Sequence, residues 1–162
     1  MKRIISTLCL IISIACGSFS ISWSGDFQKG VEAYNKGDFA TALKEWTPLA
    51  EQGNVKAQYN LGLMYDMGKG VLQDYKEAVR WYQLAAEKGY SSAQHNLGLL
   101  YFNGQGVPQD HQIAVEWITL SADQGKAESQ KNLGIIYRDG EVVPQDYKAA
   151  ANWFKLAANK AT

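Results

Sequence analysis

Two histidines, His95 and His111, are the residues of this 162-residue chain best suited to metal or acid–base chemistry. A zinc site takes three or four nitrogen, sulfur or carboxylate ligands at workable spacing, and two histidines alone do not supply it. Acids such as Asp66, Glu116 and Glu128 do not recur as a close pair in one register, so no general acid and base are assigned. The sequence also lacks a Gly-x-Ser-x-Gly elbow, a phosphate-binding loop and a Ser-x-x-Lys element. The expectation is therefore a chain without catalytic residues, metal or cofactor. His111 shares a column with Tyr75 and Tyr147, which reads as a ring packed at a helix start.

The remaining reactive side chains, Cys9 and Cys16, lie near the N-terminus. Lys2 and Arg3 precede an apolar run from Ile4 to Ala15, and small polar residues follow, the layout of a secretory signal peptide. About twelve apolar residues are too few to span a bilayer, which needs roughly twenty in a helix, so no transmembrane span is expected. Ser20-Ile21-Ser22 and Ser22-Trp23-Ser24 both offer small residues for cleavage. Ser13-Ile14-Ala15-Cys16 resembles a bacterial lipobox with Ser13 in place of the usual Leu, so lipid anchoring through Cys16 stays an alternative. The expected location is periplasmic or secreted. Export would remove both thiols and leave stability to packing alone. Losing Lys2 and Arg3 also leaves fourteen bases against sixteen acids. A near-neutral domain without a basic block is not expected to bind nucleic acid. Hydrophobic residues at 46% and aromatics at 12% argue for a real core rather than disorder.

The elements that position these side chains follow from a repeat. Ala57-Gln58-Tyr59-Asn60-Leu61-Gly62, Ala93-Gln94-His95-Asn96-Leu97-Gly98 and Ser129-Gln130-Lys131-Asn132-Leu133-Gly134 start thirty-six residues apart. The register continues through Asp74, Asp110 and Asp146 and through Trp81, Trp117 and Trp153. Within a unit, Ala57, Leu61, Met64 and Tyr65 share one helical face, giving helix A. Gly62, Gly98 and Gly134 each cost helix A about 1 kcal/mol relative to Ala, and close approach of a neighbouring helix would explain them. Paired loop glycines stop helix A. Each Asp then caps helix B, with Glu77 completing a capping box for Asp74. Ala78, Trp81, Tyr82, Ala85 and Ala86 form the helix B stripe, ended by Gly89.

These observations divide the chain into a signal peptide (1–24), a divergent N-terminal hairpin (25–55) and three repeats (56–90, 91–126 and 127–162). Pro48 predicts a kink near Trp46 or a late start for the second helix of the leading hairpin. The last helix B has no following helix to cover it, so a homodimer through that exposed C-terminal helix is a further expectation.

The unit A-Q-x-N-L-G-x-x-Y-x-x-G-x-G-V-x-x-D-x-x-x-A-x-x-W-x-x-x-A-A-x-x-G, as it stands in residues 57–89, resembles the Sel1-like repeat. Val142, Leu72 and Ser129 depart from the pattern. The resemblance implies an all-α, right-handed α-solenoid of antiparallel hairpins, related to tetratricopeptide arrays. It also implies a non-enzymatic adaptor that binds a protein or peptide. Cysteine-rich relatives of the repeat family are associated with penicillin binding and β-lactam hydrolysis, which makes an envelope hydrolase or penicillin-binding protein the alternative. Those relatives carry a cysteine pair per repeat, and this domain would carry none.

By register with tetratricopeptide arrays, a concave helix A face would present Tyr59, His95 and Lys131 in one column and Asp66, Phe102 and Arg138 in another. Both columns vary between otherwise similar units, and these six residues are the expected partner-binding surface. Leu63, Leu99 and Ile135 between them are assigned to packing. The invariant Gln58, Gln94, Gln130 and Asn60, Asn96, Asn132 are assigned to bonds with inter-repeat backbone, and the repeated tryptophans to hairpin cores.

Overall fold

The computed structural model describes residues 25–159. Residues 1–24, with the signal-peptide and lipobox readings, lie outside the described residues. Among the described residues the chain forms eight α-helices and no strand: α1 (Phe27–Asn35), α2 (Phe39–Glu51), α3 (Val55–Met67), α4 (Tyr75–Glu87), α5 (Ser91–Asn103), α6 (His111–Asp123), α7 (Ala127–Asp139) and α8 (Tyr147–Ala158). They pair as hairpins α1·α2, α3·α4, α5·α6 and α7·α8, and each hairpin stacks on the next through α2·α3, α4·α5 and α6·α7. This is an all-α helical-repeat solenoid, in which each unit buries its apolar face only against its neighbours.

Local chemistry sets the helix ends. Asp74, Asp110 and Asp146 each accept two backbone N–H bonds at the start of a helix B. The capping box expected at Asp74 does not close: Glu77 instead accepts from Arg80, which lies over the Trp81 ring at 4.0 Å. The aromatic surface one turn away holds the guanidinium, and the guanidinium holds the carboxylate. Helix A ends at Gly68, Gly104 and Gly140 with φ of +66°, +66° and +70°, a left-handed conformation that glycine adopts without strain. A device not read from the sequence closes the same turn. Gln73, Gln109 and Gln145 donate their side-chain amides to the carbonyls of Asp66, Phe102 and Arg138 at 2.7–2.8 Å.

Pro48 sits inside a helix that starts at Phe39 and runs unbroken to Glu51, so the expected late start is not seen. An interior proline costs about 3 kcal/mol. Burying Trp46, 2% exposed, removes on the order of 150–250 Å² from water and returns about 4–6 kcal/mol. The core outweighs the proline.

The glutamine column locks hairpin to hairpin as expected. Gln58, Gln94 and Gln130 donate to the carbonyls of Ala50, Ala86 and Ala122 at 3.0–3.1 Å. The tryptophans do more than fill their own hairpins: Trp81 joins the cluster of the leading hairpin and α3, and Trp117 and Trp153 likewise pack against the preceding unit.

Candidate functional site

Each helix A carries two residues one turn apart on the side that faces its neighbouring helix A: Val31 and Tyr34, Leu63 and Asp66, Leu99 and Phe102, Ile135 and Arg138. The leading hairpin has a shorter turn, so its helix A registers thirty-two residues before the next instead of thirty-six. Between successive helices A the floor is a helix B side chain: Trp46, then Tyr82, then Ile118. Each reaches the floor because glycine stands opposite. A Cβ built on Gly30, Gly62 or Gly98 would lie 2.3, 2.4 or 2.7 Å from Trp46, Tyr82 or Ile118. The helix A glycines are therefore the openings through which helix B reaches the groove.

Three equivalent stations result. The first is a pocket of about 200 Å³ lined by Val31, Tyr34, Asn35, Trp46, Asn60 and Leu63. The third is a pocket of about 210 Å³ lined by Leu99, Phe102, Ile118, Asn132, Ile135 and Ile136. Both fall below the roughly 300–1,000 Å³ of small-molecule sites, yet exceed the ~150 Å³ in which an apolar cavity holds benzene. One large apolar side chain fits each. The middle station differs: the Tyr82 hydroxyl donates to Asp66 Oδ2 at 3.0 Å and accepts from Asn96 Nδ2 at 3.1 Å. Burial raises the Asp66 carboxyl above its ordinary range, against the opposing effect of the Tyr82 hydrogen bond. Burial, and then the Asp66 carboxylate, push the Tyr82 phenol far up, so it stays a donor.

The family model for the Sel1 repeat matches residues 55–90, 91–126 and 127–161. The chain belongs to the Sel1 repeat family. A crystal structure of a protective antigen present in uropathogenic Escherichia coli strains, displaying an SLR fold, superposes with a TM-score of 0.79 at 39% identity. The match covers 86% of this chain and 32% of that one. A Sel1 repeat protein from Oxalobacter formigenes gives 0.79 at 33% identity over 83% of this chain and 55% of its own. The chain thus spans about a third to a half of these relatives. No curated protein matches it at the same stringency. Sel1 repeat proteins serve in general as scaffolds for protein interactions.

Within the Sel1 array the six sequence-derived positions separate. Asp66 and Phe102 share the groove, one at the middle station and one lining the third pocket, where the Phe102 ring stacks on His111 at 4.7 Å. That stack accounts for His111 as ring packing. Arg138 continues their register, exposed and paired with Asp139 at 2.6 Å. The other column turns inward. Tyr59 is half-buried, with its ring 5.8 Å from Tyr82 and 5.1 Å from Tyr90. His95 is only 9% exposed, with Nδ1 2.7 Å from Ser129 Oγ; since the Ser129 hydroxyl donates to Ser121 and Ser121 to the Ser91 carbonyl, the proton of this contact belongs to Nδ1. Lys131 is exposed and lines a separate depression with Phe154 and Ala157.

Leu63 and Leu99 pack against the cores as assigned, and with Ile135 they also line the pockets. One assignment changes. The asparagines do not bond inter-repeat backbone: Asn96 serves Tyr82, while Asn60 and Asn132 have no hydrogen-bond partner among the described residues and face the two pockets. Sequence reasoning also missed the floor, Trp46, Tyr82 and Ile118. The recurring helix A glycine was the available signal, since it marks where a helix B side chain comes through. Among the described residues no group of three or more His, Cys, Asp or Glu side chains is placed to hold a metal, and no helix is long and apolar enough to cross a membrane.

Proposed function

We propose that this protein is an exported, non-catalytic scaffold that binds an extended segment of a protein partner along the groove of α1, α3, α5 and α7. The observation that carries this reading is the pair of side-chain-sized apolar pockets, two repeats apart, each with an unpartnered asparagine at its rim. Exposed apolar pockets beside free amides suit a peptide that inserts side chains and offers backbone hydrogen bonds. Export rests on the basic-then-apolar layout of residues 1–24.

The test is capture from an envelope extract by the purified protein and by a Leu99→Ala/Phe102→Ala variant whose helicity is confirmed by circular dichroism. A partner held by the first and lost by the second supports the groove, and equal capture by both removes it. Sustained turnover of a chromogenic β-lactam by the pure protein would overturn the non-catalytic reading. A second reading, self-association through α8, is favoured by one observation: Ala150 alone is buried among its described residues, and Leu156 is 47% exposed. Light scattering over a concentration series should then show a dimer, and a strictly monomeric protein would remove it.

A further inference from the structure

The three stations of the groove are built from the same positions but differ in polarity, apolar, acidic, apolar, and that order describes an occupant. Tyr34, Asp66 and Phe102 occupy one register on successive helices A. The outer two line pockets and the middle one offers a half-buried carboxylate, of which Oδ2 accepts from Tyr82 and Oδ1 carries no protein hydrogen bond. The flanking cations lie elsewhere. Lys69 stands at the edge of the first station, its Nζ 3.0 Å from the Tyr34 hydroxyl, and Arg138 beyond the third station is paired with Asp139. A positive side chain meets a complementary charge at the centre and repulsion at the first station.

Spacing follows from helix packing. A direct His95–Ser129 side-chain bond bridges α5 and α7, but the hairpins stack chiefly through α2·α3, α4·α5 and α6·α7, so the helix A axes lie at or just beyond the ~10 Å of packed helices. The two pockets are then roughly 20 Å apart, about six residues of extended chain at ~3.3 Å each. The carboxylate falls about midway.

Resting on the groove reading above, we propose that the groove recognises an extended peptide segment with a Lys or Arg centred between two large apolar residues. The basic side chain meets Asp66, and the apolar ones enter the Trp46 and Ile118 pockets. Asn60 and Asn132 bond the peptide backbone beside each anchor. A fully apolar segment leaves the Asp66 carboxylate buried without a counter-charge, and an acidic centre is repelled.

The test uses synthetic peptides of about seven residues in the frame Leu-Ser-Ser-X-Ser-Ser-Leu, with X as Arg, Ser or Glu, and frames one serine shorter or longer on each side. Their binding to the full chain is read by fluorescence anisotropy. The Arg peptide is expected to bind about tenfold more tightly than the Ser peptide, with the Glu peptide weakest. Asp66→Asn keeps an acceptor for the Tyr82 hydroxyl and should erase the preference for Arg over Ser and Glu. Asp66→Lys should reverse the order, its fold checked by circular dichroism. If Arg, Ser and Glu peptides bind alike in every frame, yet all lose affinity on Phe102→Ala, the acidic centre is overturned and the groove stands. If no peptide binds, or Phe102→Ala changes nothing, both readings fall.

Discussion

The junction of α3 and α4 with α5 and that of α5 and α6 with α7 are built from equivalent positions, yet their polarity is inverted. At the first, Tyr59, Ala85, Ala93 and Val55 form an apolar seam, and polarity appears at the groove as Tyr82, Asp66 and Asn96. At the second, the seam itself is polar. His95 Nδ1 donates to Ser129 Oγ, which donates to Ser121 Oγ at 2.7 Å, which donates to the Ser91 carbonyl at 2.8 Å. There the groove floor is Ile118. The difference teaches that a repeat sets where hairpins meet, whereas the polarity of each meeting is chosen four residues at a time. Ser121 and Ser129 are fully buried, and such a chain is tolerable only when every member is satisfied.

The largest effect on this contrast comes from removing a floor. Tyr82→Ala should cost about 3–5 kcal/mol in chemical denaturation, because the ring is fully buried opposite Gly62. Breaking the polar seam at one point comes next. Ser121→Ala leaves the Ser91 carbonyl without its donor and Ser129 without its acceptor, for about 1–3 kcal/mol. Converting the whole seam to its apolar counterpart, His95→Tyr with Ser121→Ala and Ser129→Ala, should return most of that loss, to within about 1 kcal/mol of the parent. A triple variant no more stable than the single one would show that the two junctions are not interchangeable.

A smaller effect separates the junctions by pH. Burial, and then the charge of Lys126, hold the His95 imidazole below its ordinary value of 6.5, with Glu128 opposing. On acidification the unfolded chain takes up a proton that the folded one resists. Stability tied to this residue is therefore full above pH 6.5 and is lost as pH falls through 6.5 toward the folded value. Denaturation midpoints compared between pH 7.5 and 5.5 should drop in the parent, and drop less in the triple variant. Smallest is Tyr82→Phe, about 1 kcal/mol or less. It removes the bond that lowers the Asp66 carboxyl, whose titration should move further up in a side-chain NMR experiment.

Much of the architecture was legible without coordinates. The thirty-six-residue period, the aspartate caps, the glycine stops and the glutamine column act within a unit or between identical neighbours, and a periodic sequence records such contacts directly. Asp66 and Phe102 were assigned to one helix A column by register with tetratricopeptide arrays, and they do share a register between successive helices A. His95 and Tyr59 vary between units, but their column turns into the seam, and variation alone does not tell a surface from an interface. Nor does a heptad-like stripe reveal that Trp46, Tyr82 and Ile118 pass helix A to become a floor. That depends on a glycine in one helix lying opposite a large side chain of another. The sequence by itself determined the units, their ends and their stacking order. Which side chain reaches the groove and which closes the seam was decided only when hairpins packed, because helix spacing and side-chain direction are properties of the pair.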